Sequence, residues 1–190
     1  MSNIPYVMNS GENGVIMSDI YSKLLRDRII FLTGEINDEV AMTVVAQLLL
    51  LESEDRNSDI YMYINSSGGS VSAGLAIIDT MKYINPKVVT IDIGMCASIG
   101  AIVLSQGDLR MALPNSEIML HQPYGNINGQ ATNIAIYANR IQKNKERIIN
   151  MLAKVTGKGY KCVEMDIERD FFMSSIEALE YGIIDKVIGE

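Results

Sequence analysis

The chain is poor in the residues from which metal centres and disulfide frameworks are built. Its 190 residues include one histidine, His121, and two cysteines, Cys96 and Cys162. Two cysteines do not make a disulfide framework, and a single histidine leaves no plausible metal cluster. We therefore predict no metal and no other cofactor. If a histidine takes part in chemistry here, it must be His121.

Signals for nucleotide, nucleic-acid and membrane binding are also missing. Gly68-Gly69 is predicted to open a helix, but no Gly-Lys-Ser/Thr follows and Lys82 is too far along the chain to serve a phosphate. A net charge of −7 argues against a nucleic-acid partner. No uninterrupted apolar run reaches the roughly 18 residues of a membrane span, and no basic stretch followed by an apolar core marks a secretory signal. A reducing cytoplasm is the expected location.

The patterns that are present indicate one α/β domain. Apolar residues make up 48% of the chain, enough for a full core. Apolar, β-branched runs over 28–32, 60–64 and 88–93 predict buried strands, and a helical spacing of apolar residues follows each of the first two. Residues 183–188 are predicted to form the last strand. Strands that alternate with helices predict right-handed βαβ units with mostly parallel strands. Asn37 and Ser174 are predicted helix caps, the latter within a capping box that includes Glu177.

A serine lies at the point where the third predicted strand gives way to a helix. Ser98 stands between Ala97 and Gly100, so little side-chain bulk surrounds its hydroxyl. The N–H of Ile99 is an unpaired donor at the start of the helix. The sequence allows two interpretations, a helix-capping serine and a nucleophile that His121 activates.

Three further segments accompany this serine, over 61–71, 113–115 and 168–174. Together with the stretch around Ser98 they resemble the proteolytic subunits of the Clp protease family, and the likeness runs from about Asp19 to Val187. The resemblance implies an α/β fold of the ClpP/crotonase-like type, a spiral of βαβ units with a long protruding handle helix.

The resemblance assigns roles to individual residues. It implies Ser98 as nucleophile, His121 as general base and Asp170 as the acid that orients the histidine, with Gly69 and Ile99 supplying the N–H groups of an oxyanion hole. The implied substrate-binding residues are Gly68, Ser70, Pro123, Tyr124 and Gly125.

The resemblance also divides the chain. Residues 1–18 would form an axial loop, predicted from the sequence as a hairpin with its turn between Gly11 and Gly14. Residues 19–122 and 158–190 would form the head, and 123–157 a handle made of a strand and a long helix. That helix carries an apolar stripe that packs either on its own domain or on another subunit. The stripe consists of Ile134, Ile141, Ile148, Leu152 and Val155.

By resemblance, the handle joins two stacked heptamers, and Glu168 and Arg169 pair across the boundary between the rings. The implied partner is an AAA+ unfoldase of the ClpX, ClpC or ClpA type, touched by Ile4, Pro5 and Val7. By pattern alone, most of the residues that align with the pocket for this partner are core residues. The pocket residues are Tyr61, Tyr63, Tyr83, Ile91, Ile93 and Leu113.

The function implied is that of a serine endopeptidase that degrades unfolded polypeptides inside a barrel chamber, with ATP spent by the unfoldase. One alternative is a related subunit that assembles but is inactive without a paralogous ring. It is motivated by Ser67, Cys96 and Phe171, which depart from the family pattern, and by a short connection over 108–111 that we interpret as a trimmed surface turn. The other alternative is a crotonase-type enzyme acting on acyl-CoA.

Overall fold

The fold begins with a small hairpin. The computed structural model describes residues 4–11 and 14–189. Strand β1 (Tyr6–Gly11) pairs antiparallel with β2 (Gly14–Asp19), with Gly11 opposite Gly14. The predicted hairpin is thereby confirmed, while Glu12 and Asn13 at its predicted turn lie outside the described residues.

A mostly parallel sheet forms the centre of the molecule. Its strands run in the order β3-β4-β5-β6-β9, with β7 paired to β5 and β8 paired to β7. Every pairing is parallel except that of β7 with β8. The predicted α/β class with mostly parallel strands is confirmed. The strands are β3 (Ile29–Ile36), β4 (Ile60–Gly69), β5 (Val88–Ala97), β6 (Leu109–Ala112), β7 (Glu117–Leu120), β8 (Phe171–Ser174) and β9 (Lys186–Val187).

Helices connect these strands, and two of them begin at the predicted caps. The Asn37 side chain accepts the Val40 N–H at 2.9 Å, and Ser174 and Glu177 form the predicted capping box. The helices of the described residues are α1 (Ile20–Arg26), α2 (Asp38–Glu54), α3 (Val71–Tyr83), α4 (Ile99–Ser105), α5 (Ala131–Thr156), α6 (Tyr160–Asp166) and α7 (Ser175–Tyr181).

The core lies between the sheet and these helices. Leu32 and Ile64 from the strands, Ile77 from α3 and Leu104 from α4 are fully buried and belong to one hydrophobic cluster. Cys96 is part of the same cluster with no exposed surface, as expected for a small core residue. The strand that leads to Ser98 is therefore embedded in the best-packed part of the molecule.

Three local predictions were wrong. Residues 108–111 are not a surface turn, because Leu109–Ala112 is strand β6, held between β5 and β9. Gly68 and Gly69 do not open a helix: β4 continues through both, and Ser70 caps α3. The last strand covers only Lys186–Val187 instead of 183–188, since Ile183 and Ile184 turn into the core.

Helix α5 differs from the others in its exposure. Every residue from 131 to 140 is exposed, and burial begins only toward its C-terminal half, at Ile148, Ile149 and Leu152. Between His121 and Gln130, all of which the structure describes, no residue belongs to a strand of this chain. Among the described residues, no helix has both the length and the apolar character needed to cross a bilayer.

Candidate active site

Ser98 occupies a strained corner between β5 and α4. Its φ of 54° and ψ of −126° are unusual for a residue with a side chain. Its side chain makes no capping hydrogen bond to the helix. Of the two interpretations that the sequence left open, the structure therefore disfavours the helix cap. The backbone at Ser98 instead turns the hydroxyl away from the helix that follows.

The Ser98 hydroxyl is hydrogen-bonded to His121. Its Nε2 lies 2.8 Å from Ser98 Oγ, the distance of a hydrogen bond. The Ser98 N–H donates to the carbonyl of Met119 at 2.9 Å, which ties the serine to strand β7 two residues before the histidine. The contact is therefore set by the sheet, and the short connection through β6 does not keep the two residues apart.

Asp170 lies on the other side of the imidazole ring. Its Oδ1 is 3.2 Å from His121 Nδ1. The reason is the antiparallel pairing of β7 with β8, which sets Leu120 opposite Phe171. Because His121 follows Leu120 and Asp170 precedes Phe171, both side chains emerge at the same end of the strand pair. The serine, histidine and aspartate thus stand in a continuous line.

Strand β5 reaches Ser98 through an irregularity. The strand is paired with β6 up to Asp92 and with β7 from Met95 onward, and its register against β4 shifts over the same stretch. Asp92 Oδ1 accepts the Gly94 N–H at 3.0 Å, and Asn65 Oδ1 accepts the Met95 N–H at 3.2 Å. These two side chains stabilise the segment of β5 in which its partner changes from β6 to β7, just before Ser98.

Asp92 is fully buried, and its Oδ2 has no hydrogen-bond partner among the described residues. Burial raises the pKa of this carboxyl to about 6, because a charge is poorly solvated there. Burial, together with the Asp92 charge, also raises the pKa of the Cys96 thiol well above its usual value. Cys96 is consequently a protonated thiol in the core, two residues from Ser98.

Two glycines allow the backbone of β4 to approach the serine. A Cβ at Gly68, where φ is +97°, would lie 2.7 Å from Ser98 Cβ. A Cβ at Gly69, where φ is +147°, would lie 2.3 Å from the Ile36 carbonyl oxygen. Contacts this short are not tolerated, so only glycine fits at either position.

The comparison with known families decides the class of the protein. The family model for Clp protease matches residues 11–190. The chain belongs to the Clp protease family. Membership in this family makes peptide-bond hydrolysis the activity class of the chain.

The implied substrate residues of this Clp protease family member are only partly brought together. A cleft of about 300 Å³ is lined by Gly69, Ser98, His121, Pro123 and Tyr124, among others. Tyr124 is 81% exposed, and its ring meets the His121 ring edge-on at 5.7 Å. The other three candidates, Gly68, Ser70 and Gly125, do not line the cleft. The Ser70 hydroxyl caps α3, and Gly125 packs beside Ile141.

Glu168 and Arg169 lie next to Asp170 and line a second cleft with His121 and Gln122. Within this chain, Glu168 forms an ion pair with Lys145 of α5 at 3.1 Å. The hydrogen bond from Lys145 holds the pKa of Glu168 below its usual value. Lys145 also donates to the Gln122 side chain at 2.8 Å. Helix α5 is thus tied to the loop that carries the histidine.

The residues aligned with the unfoldase pocket occupy different environments. Tyr61 is 39% exposed on the sheet face away from the core, with Tyr63 next to it on the same face, and the Phe31 ring stacks on Tyr63 at 5.6 Å. Ile91 is buried on the neighbouring strand, opposite Tyr63. Ile93 and Leu113 are half-buried. Tyr83 stands apart at the end of α3, in a separate pocket with Leu49 and Glu52.

Three residues of the cleft were not predicted from the sequence as site residues, namely Glu35, Ser67 and Val71. Glu35, at the carboxyl end of β3, lines the same cleft as Ser98. The available signal was its place after an apolar strand, since the carboxyl ends of parallel strands gather at one edge of a sheet. Within residues 4–11 and 14–189, no group of histidine, cysteine, aspartate and glutamate side chains is arranged to hold a metal ion.

Proposed function

We propose that the chain is a serine endopeptidase in which Ser98, His121 and Asp170 act as a triad. The observation that supports this most strongly is the pair of contacts made by one imidazole ring. Nε2 meets Ser98 Oγ at 2.8 Å, and Nδ1 meets Asp170 Oδ1 at 3.2 Å. A nucleophile, its base and the group that orients the base are the parts that acyl transfer from a peptide requires.

In this proposal Ser98 Oγ attacks the carbonyl carbon of the scissile bond while His121 Nε2 takes its proton. The carbonyl oxygen becomes an oxyanion, which the N–H groups of Gly69 and Ile99 stabilise. Protonated His121, held by Asp170, then gives the proton to the leaving amine, and an acyl-enzyme remains on Ser98. Water attacks this ester with His121 as base, which releases the second product and restores the serine.

We further propose that the subunit works in two stacked heptamers, fed with unfolded polypeptide by an AAA+ unfoldase. The exposed stretch 131–140 of α5 supports a handle, because it includes Ile134, Ile136 and Tyr137 and has no cover within the described chain. The exposed face of Tyr61 and Tyr63 supports a docking pocket.

The test is hydrolysis of a short fluorogenic peptide by the full chain and by Ser98→Ala, with particle mass measured on the same samples. Removing the nucleophile should reduce kcat/KM by at least about 10³-fold while the particle mass stays unchanged. The matched control is Ser72→Ala, an alanine substitution at a serine on α3 outside the cleft, which should retain activity.

The same experiment separates the alternatives. Particles of fourteen subunits without turnover in the unmodified protein would overturn the peptidase proposal in favour of a subunit that depends on a paralogous ring. Turnover of an acyl-CoA thioester, with none of the peptide, would instead indicate a crotonase-type activity.

A further inference from the structure

A carboxylate that the proposed reaction does not use lies in the cleft of Ser98 and His121. Glu35 lines this cleft together with Ser67, Gly69 and Val71. Its side chain is exposed to the cleft. Among the described residues, no ion pair and no side-chain hydrogen bond engages it. The cleft therefore contains a carboxyl group that no side chain of residues 4–11 or 14–189 pairs with.

Strand pairing sets Glu35 close to the reacting atoms. Glu35 is paired with Gly68 and Ile36 with Gly69 across β3 and β4. Gly68 in turn lies directly against Ser98, as the 2.7 Å approach of its added Cβ to Ser98 Cβ shows. A peptide whose scissile carbonyl sits between Ser98 and Gly69 therefore has Glu35 beside it.

Glu35 is available to bind a substrate, because it takes no part in the proposed proton transfer. Both ring nitrogens of His121 are already occupied, Nε2 by Ser98 and Nδ1 by Asp170. Besides the reacting Ser98 and His121 and the Ser67 hydroxyl, the cleft wall includes apolar and aromatic groups, namely Val71, Pro123 and the exposed Tyr124 ring. A carboxylate and an aromatic ring within one cleft are the groups that bind an ammonium or guanidinium ion.

We propose that Glu35 selects substrates with a lysine or arginine at a residue adjoining the scissile bond. The inference rests on the proposed function and adds a substrate class to it. The aliphatic stem of the cationic side chain would pack on the apolar wall while its charged end reaches the carboxylate. The partial enclosure of the cleft strengthens this attraction relative to an ion pair in open solvent.

The experiment uses internally quenched peptides that differ at one residue only, as lysine, norleucine or glutamate. One set varies the residue on the acyl side of the scissile bond and a second set varies the residue on the leaving side. The proteins are the full chain, Glu35→Gln, Glu35→Lys and the matched control Glu39→Gln. Glu39 is an exposed glutamate of α2 that does not line the cleft.

In one of the two sets, the lysine-to-norleucine ratio of kcat/KM should fall about 3- to 10-fold in Glu35→Gln and stay at its original value in Glu39→Gln. Glu35→Lys should favour the glutamate peptide. The preference for lysine should also weaken as salt is raised, since it is electrostatic. A ratio that is the same in the unmodified protein and Glu35→Gln, in both sets, overturns the proposal.

A binding measurement separates this outcome from failure of the proposed function. The same peptides, carrying a fluorophore, are titrated with Ser98→Ala and with Ser98→Ala/Glu35→Gln, and anisotropy reports the dissociation constant. Tighter lysine binding that depends on Glu35, without hydrolysis by the unmodified protein, keeps the Glu35 assignment and rejects the peptidase. Equal binding of lysine and norleucine peptides by both proteins, with Ser98-dependent hydrolysis intact, rejects Glu35 alone.

Discussion

The two contacts of His121 belong to regions of very different character. Ser98 is held by buried parallel strands, and the His121 side chain is only 17% exposed, whereas the Asp170 side chain is 62% exposed. The serine side is tied by the backbone of β7 and by the glycines of β4. The aspartate side is held by the pairing of β7 with β8 and by Lys145 of α5, which contacts the neighbouring Gln122 and Glu168.

The difference shows which part of the site a single subunit can hold by itself. Packing of the sheet fixes the Ser98–His121 pair, because moving either residue would disturb fully buried neighbours. Asp170 itself is exposed, and the neighbouring ion pair of Glu168 with Lys145 is of a kind that contributes little where it faces solvent. We expect the aspartate side to respond to assembly and to the solvent, and the serine side to resist both.

The largest effect should come from breaking the exposed contact. Asp170→Asn replaces the acceptor of the Nδ1 proton by an amide, and we expect kcat to fall about 10²- to 10⁴-fold because the imidazole is no longer oriented or stabilised when protonated. Peptide hydrolysis measures this loss. Asp170→Glu should recover part of it, and Glu164→Gln, which removes a carboxylate of α6 that pairs with Lys161, should not change it.

The measurement also ranks the two contacts. If Asp170→Asn lowers kcat less than about threefold while Ser98→Ala abolishes it, the exposed aspartate has no part in catalysis. Asp170 would then be a surface acid that only lies near His121.

A smaller effect should come from breaking the buried side with one methyl group. Gly68→Ala puts a Cβ against Ser98 Cβ at a backbone φ of +97°, so the serine must move. A displacement of about 1 Å lowers the rate on the order of 10²-fold. Gly129→Ala is the matched control, since its φ is also positive but its added Cβ meets nothing within 4 Å. Equal rates for the two variants would contradict the close approach.

The pH dependence of the free energy of unfolding tests Asp92, the buried carboxyl group of the strand that leads to Ser98. The pKa of Asp92, about 6, lies above the usual value of an aspartate, so the folded chain binds this proton more tightly than the unfolded chain. Its contribution to stability is complete below about pH 4 and is lost as the pH rises through 6. Asp92→Asn should therefore raise the free energy of unfolding above pH 6 by about 2–3 kcal/mol and leave it unchanged near pH 4.

Urea unfolding at a series of pH values measures this difference. Asp79→Asn, at an exposed aspartate of α3, is the control and should follow the unmodified protein throughout. If the free energies of unfolding of Asp92→Asn and of the unmodified protein differ by the same amount at all pH values, folding does not change the pKa of Asp92.

The smallest effect on subunit stability should come from the exposed arm. Ile136→Ser with Tyr137→Ser changes two side chains that are 60% and 50% exposed, so the free energy of unfolding of a single subunit should shift by about 0.5 kcal/mol or less. Particle mass should nevertheless fall if these side chains are covered by another ring. Light scattering measures the particle mass, and an unchanged mass would show that this stretch makes no contact needed for assembly.

Much of the architecture follows from local patterns in the chain. The β-branched run at Val88, the caps at Asn37 and Ser174, and the apolar stripe of α5 each predict the element that forms there. These predictions succeed because they depend on neighbours within one or two turns. Strand β6 was missed since four residues with mixed polarity become a strand only through pairing with β5 and β9.

The site shows the same division. The strand-to-helix junction around Ser98 and the single histidine can be identified from the sequence, because chemistry and spacing are local properties. That Asp170 meets His121 follows from the antiparallel register of β7 and β8, and that Glu35 faces the same cleft follows from the register of β3 and β4. Register is set by contacts between distant residues, and no pattern along the chain encodes it alone.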